Sequence, residues 1–270
     1  MINRVLLYNS GGGIGDAIQM LPLLNTLKNE LKNTKFYYLS AHENHFNSTL
    51  KDLNCEIESL NLKIKYFGFR WWHALIVQKR FKMLNIESFD LILDLQSKIR
   101  NSLILKKIPH KKFVSSTFNF KLSKPKLNIK KENRITDTIL NAVNILFEKN
   151  YQLTEYNINK IHKKFHSESE KLLPNKNYVG LSITQGNIYR KKEWPLENVI
   201  KISNKLLENN KIPVFFIEKK NYQLKDKIKK LLPFAKFPEH ETNFSSPASF
   251  QGLSGKNQNL QVKKPRNKNL

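Results

Sequence analysis

Apolar and polar positions follow two rhythms along this chain. Short apolar runs fenced by polar residues recur at residues 5–9, 35–40, 89–94 and 112–115, as buried strands would leave them. Between them apolar residues return every three or four positions. Ile18, Leu21, Leu24, Leu27 and Leu31 do so within residues 16–32, and Ile139, Ala142, Val143, Leu146 and Phe147 within 136–148. That spacing predicts amphipathic helices, with a further one over 72–83. Residues 45–53 and 97–107 carry weaker helical signals, and 57–60 a short extended one. A polar stretch over 163–177 interrupts the rhythm, which then restarts. It predicts a strand over 178–183, a helix over 196–209 entered through Trp194 and Pro195, a strand over 213–217 and a helix over 222–232. Alternating strands and helices argue for an α/β fold with parallel sheets built from βαβ units. The restart predicts a first domain at 1–162, a linker at 163–177 and a second, partial domain at 178–240. From 241 to 270 the chain is rich in Ser, Asn, Gln, Gly and Lys without a period, and reads as an irregular or disordered tail.

Composition adds a charge argument. The 270 residues carry a net charge of +25, so nucleic acid, anionic lipid headgroups and phosphorylated glycans are the expected kinds of partner. The basic residues are spread out and accompany abundant Asn and Ile, so coding bias accounts for the charge equally well. A single cysteine, Cys55, allows no intrachain disulfide and no Cys-cluster metal site, and fits a reducing compartment. The opening residues run from a strand-like segment straight into glycines, unlike a signal peptide. No apolar run approaches the roughly 20 residues that span a bilayer. The expectation is a cytoplasmic protein, at most peripheral to the inner membrane. The seven histidines show no metal spacing. No nucleic-acid motif accompanies the charge, which alone carries a nucleic-acid-binding alternative. Trp71 and Trp72, beside Phe67, Phe69 and His73, read as core, with a membrane surface or a sugar as other uses.

Candidate chemistry begins at SGGGIGDAIQMLPLL, residues 10–24, which follows the first strand directly. A dinucleotide fingerprint G-x-G-x-x-G fails here, because the third glycine position falls on Asp16 or Ile18. A P-loop fails as well, since no lysine follows. Asp16 can be read as a helix N-cap, with Gln19 completing a capping box. It can also be read as a general base. The glycines let a ligand approach the backbone, and a carboxylate beside helix N–H groups at the carboxyl edge of a parallel sheet stays ionised where ligands bind.

Three segments in register resemble the family 9 glycosyltransferases, the ADP-heptose:lipopolysaccharide heptosyltransferases. They are SGGGIGDAIQMLPLLNTLK at 10–28, FDLILDLQSKIRNSLIL at 89–105, and residues 178–218 with the K-x-W-P signature at Lys192, Glu193, Trp194 and Pro195. The resemblance implies a GT-B architecture: two Rossmann-like domains, the first for the acceptor and the second for a nucleotide-sugar donor. It implies inverting transfer of a heptose-like sugar to a lipopolysaccharide-type, anionic glycolipid acceptor, with no metal or other cofactor. Asp16 then matches the catalytic base. Gly12, Gly13, Gly15, Gln96 and Arg100 fall where the acceptor would bind; Gln96 and Arg100 also read as a surface pair one helical turn apart. Lys192 matches the lysine that meets the donor diphosphate, Asn187 falls in the loop of phosphate-contacting residues, and Glu218, ending the strand PVFFI, would contact the ribose.

After Pro238 the chain departs from the family. A D-[ST]-G-x-x-H segment and a later glycine–proline strand end are both missing, so the second domain reads as truncated and incomplete. An inactive remnant of such an enzyme is the corresponding alternative.

Overall fold

The computed structural model describes residues 2–10, 13–41, 44–53, 55–174, 177–184 and 194–242. It divides into two compact units, residues 1–161 and 162–270.

The first unit begins with β1 (Arg4–Asn9), α1 (Ile14–Glu30), β2 (Lys35–Ser40) and the two-residue β3 (Glu58–Ser59). It continues through α2 (His73–Met83), β4 (Phe89–Asp94), α3 (Ile99–Leu105), β5 (His110–Ser115) and α4 (Ile135–Phe147). The five strands form one sheet in the order β3-β2-β1-β4-β5, all parallel. Strand alternation divides the core. Val5 and Leu7 of β1, Leu91 and Leu93 of β4, and Val114 of β5 face α1 and α4. Leu6, Tyr8, Ile92 and Phe113 face Val77 and Phe81 of α2 and Ile104 and Leu105 of α3. Each fully buried side chain of this size stabilises the fold by about 1.5–3 kcal/mol, before the entropy cost of ordering it. The region expected to be helical at 45–53 forms two short 3-10 turns, His45–Asn47 and Lys51–Leu53.

The second unit contains α5 (Lys163–Leu172), β6 (Tyr178–Leu181), α6 (Leu196–Glu208), β7 (Ile212–Phe215), α7 (Tyr222–Leu231) and α8 (Pro238–Glu241). The polar stretch over 163–177 thus holds a ten-residue helix. β6 and β7 pair in parallel, and a parallel bridge from Val214 to Lys236 continues the sheet on the far side of β7. Val199, Phe215, Ile217, Ile228, Leu232, Ala235 and Phe237 form its buried cluster. Of the tail read at 241–270, Glu241 is the last residue of α8 and Thr242 its C-cap, while residues 243–270 lie outside the described residues.

Candidate functional site

The strand order places a reversal between β1 and β4. The chain leaves β1 towards β2 on one side, and returns to build β4 and β5 on the other. At such a switch point the crossovers diverge and leave a crevice at the carboxyl ends of the strands. Asn9, the last residue of β1, and Gln96, two residues past β4, meet there: Gln96 Nε2 donates to Asn9 Oδ1 at 2.6 Å.

Asp16 stands at the same edge, though not as a helix cap. α1 begins at Ile14, with Gly13 as its N-cap and no side-chain capping bond; the Gly13 carbonyl accepts the first helical bond from Ala17 N–H at 3.3 Å. Ile14 packs against the core and draws the helix start two residues ahead of Asp16. Asp16 is therefore the third helical residue, and Gln19 is an exposed helix position, not the far half of a capping box. Asp16 is half-buried, and its negative charge adds to burial in raising the pKa of the buried Tyr38 hydroxyl. Asn9 Nδ2 donates to the Asp16 carbonyl at 3.4 Å and to Met20 Sδ at 3.1 Å. Asn9 thus ties the first turn of α1 to the loop after β4. Gly13 and Gly15 are exposed, and a side chain at Gly15 would meet nothing within 4 Å. A Cβ on Gly13 would instead lie 3.6 Å from Asp16 Oδ2. Gly12 lies outside the described residues.

Beneath Gln96 is a group that the residue pattern did not single out. Asp94, the last residue of β4, is fully buried. Its Oδ1 accepts from the Gln96 backbone N–H at 3.0 Å, and its Oδ2 accepts from Ser102 Oγ at 2.5 Å and Ser115 Oγ at 2.8 Å. Ser102 also bonds the Thr117 hydroxyl at 2.7 Å. Burial pushes the Asp94 carboxyl up to about 7, against the pull of these donors. The available signal was an acid closing an apolar strand, followed by serines in the next helix and strand. Only the fold shows that they converge.

Gln96 and Arg100 do not form a surface pair. Gln96 precedes α3, whereas Arg100 lies in its first turn and donates from Nε to the Gly68 carbonyl at 2.7 Å. Gly68 N–H in turn donates to His73 Nδ1 at 3.1 Å. Burial, with Arg100 and Arg70 nearby, lowers the His73 pKa and favours the neutral ring that can accept this bond. The aromatic group is split, not wholly core. Phe67 and His73 are buried, whereas Phe69, Trp71 and Trp72 are exposed.

In the second unit, β7 ends at Phe215, so Glu218 does not end the strand; it precedes a single 3-10 turn, Lys219–Asn221. Its carboxylate pairs with Lys220 Nζ at 2.5 Å. Pro195 is the N-cap of α6, and Trp194 before it is exposed. Asn187 and Lys192 lie outside the described residues. Two open grooves of about 520 and 510 Å³ sit at the opposite, amino edge of the first sheet. One is lined by residues including Asp90, Lys111 and Phe147, the other by residues including Arg4, Glu58 and Glu87. Neither reaches Asp16, and the carboxyl edge is where parallel α/β sheets bind ligands. Among the described residues, no three His, Cys, Asp or Glu side chains gather as a metal site.

No protein-family model and no curated protein matches the chain. Solved structures do. The glycosyl transferase family 9 protein from Veillonella parvula superimposes with a TM-score of 0.55 at 15% identity, over 89% of this chain and 70% of that one. E. coli heptosyltransferase WaaC with ADP gives 0.55 at 14% identity, over 87% and 73%. E. coli ADP-heptose lps heptosyltransferase II gives 0.51 at 12% identity, over 89% and 73%. The chain therefore shares the α/β, GT-B fold of these glycosyltransferases.

Proposed function

We propose that this chain is an inverting glycosyltransferase that moves a heptose-like sugar from a nucleotide-sugar to a lipid-linked, anionic glycan, with Asp16 as the general base. The observation that carries the reading is the setting of Asp16. It is a half-buried residue in the first turn of α1, with its backbone carbonyl tied through Asn9 to the switch point and the exposed Gly13 and Gly15 beside it in sequence. The shared fold supports the reaction class. In the proposed step, Asp16 removes the proton of an acceptor hydroxyl as that oxygen attacks the anomeric carbon. The new C–O bond forms as the bond to the nucleotide diphosphate breaks, and the diphosphate leaves with the electron pair from the opposite face. Gly12, Gly13, Gly15 and Gln96 would line the acceptor approach, whereas Arg100 is already engaged in holding Gly68. Lys192 would offset charge on the leaving diphosphate in place of a metal, with Asn187 and Glu218 as further donor contacts. The setting would be the cytoplasmic face of a membrane.

The test is Asp16→Asn with ADP-heptose and a truncated lipopolysaccharide acceptor. Loss of a general base should lower transfer by roughly 10²–10⁴-fold. Circular dichroism and calorimetric donor binding should stay unchanged. Undiminished transfer would remove Asp16 as the base, and failure of every nucleotide-sugar to bind saturably would overturn the donor half of the reading.

A further inference from the structure

We propose that residues 65–72, with the first turn of α2, form a docking surface for bilayers rich in anionic lipid. Trp71 and Trp72 are 57% and 56% exposed, and Leu75, one helical turn on, is 81% exposed. This exposure is built into the fold. α2 turns His73, Val77 and Phe81 into the core, which leaves Leu75, Ile76 and Lys79 outward. The loop before it is pinned from beneath. Phe67 is buried edge-on against Tyr8 with ring centroids 5.6 Å apart, and Gly68 is held by Arg100 and His73. A pinned loop that holds out two adjacent tryptophans presents apolar area that water penalises and a partner can cover.

The surrounding charge selects the partner. Exposed Lys63, Lys65 and Arg70 precede the tryptophans, exposed Lys79 follows on α2, and residues 59–86 contain no Asp or Glu. The Arg70 guanidinium lies 5.3 Å over the Trp72 ring, joining the basic and aromatic parts. Tryptophan favours the headgroup level of a bilayer, where its ring is half apolar and half wet. Each nearby Lys or Arg raises affinity for an anionic surface by roughly fivefold. No described helix is long and apolar enough to cross a membrane, so docking would be peripheral. The loop also lies at the carboxyl edge of the first sheet, since Tyr8 near the end of β1 and Arg100 after β4 anchor it. A bilayer met there would bring lipid-linked sugars to the edge that carries Asp16. That use rests on the proposed acceptor, but the docking does not, so its test needs no glycosyl transfer.

Co-sedimentation of the full chain compares phosphatidylethanolamine–phosphatidylglycerol vesicles with phosphatidylcholine vesicles at about 0.15 M salt, where surface charges act over about 8 Å. Binding should favour the anionic vesicles, with a blue shift of tryptophan emission in a Trp194→Phe background. The Trp71→Ala/Trp72→Ala variant should lose on the order of tenfold or more in affinity with unchanged circular dichroism, and Trp71→Phe/Trp72→Phe should keep most of it. The proposal fails if the double alanine variant sediments like the native chain, or if native binding leaves the emission unshifted, because net charge alone would then account for it. It fails equally if the same variant abolishes a dimer in vesicle-free sedimentation velocity. Tighter binding to single-stranded RNA than to anionic vesicles, lost in that variant, would assign the surface to nucleic acid instead.

Discussion

Asp16 owes its position to its neighbours. Gly13 starts the helix, Ile14 anchors it, and Asn9 ties its first turn to the loop after β4. Gly15 offers a clean separation of folding from binding. An alanine there meets nothing within 4 Å and suits a helix better, so Gly15→Ala should stabilise the chain by up to about 1 kcal/mol. Its methyl group would nevertheless project into the space proposed for the acceptor. The expected outcome is a higher urea midpoint with weaker acceptor binding, and an unchanged acceptor affinity would exclude Gly15 from that path. Asp94 sets a second expectation. Its carboxyl titrates near 7 in the fold and near 3.8 when exposed, so between about pH 4 and pH 7 the folded chain holds one proton more than the unfolded chain. Stability should therefore fall as pH rises through this window, by about 1.4 kcal/mol for each unit crossed, and level off above it. Asp94→Asn removes the contribution. The stability difference between the native and variant chains, measured by urea unfolding, should fall from pH 4 to pH 7; a difference independent of pH would contradict a protonated, buried Asp94.

At the scale of elements, the turn from Tyr66 to His73 is fixed by one glycine. Gly68 has φ +86°, and a Cβ there would lie 2.3 Å from Tyr8 Oη and 3.2 Å from the Asn101 side chain. Gly68→Ala should cost roughly 2–4 kcal/mol through left-handed strain and overlap with β1 and α3. It should also loosen the exposed tryptophans, read as a lower urea midpoint and faster acrylamide quenching. Quenching and stability like those of the native chain would show that the loop can shift without cost. Most elements could be read from periodicity, since β4 and α2 fall within a residue of their sequence limits. The start of α1 could not. Asp is the stronger capping residue by local rules, but packing of Ile14 against the core moved the cap to Gly13. Likewise α5 arises in a polar stretch that resembled a linker.

Over the whole molecule, the two units are unequally supported. The first buries side chains on both faces of a five-stranded sheet, whereas the described part of the second has one cluster beside a two-stranded sheet. A small sheet with one core leaves less apolar burial to offset chain entropy. Calorimetry of the full chain should show two transitions, the lower one missing from a fragment of residues 1–161 that still folds. A single transition at all scan rates would mean that the units are stabilised together.

The sequence alone determined the order of strands and helices, two parallel α/β units and the acid after the glycines, because these follow from local period and composition. Tertiary structure decided which residues share an edge. Strand order brings Asn9 to Gln96 across 87 positions, and buries Asp94 among Ser102 and Ser115. It also decided which aromatics are core: Phe67 fills the space beside Tyr8, and the turn at Gly68 sends Trp71 and Trp72 outward. Nothing in the local run of aromatic residues distinguishes them, since burial depends on which surface the fold brings opposite each ring.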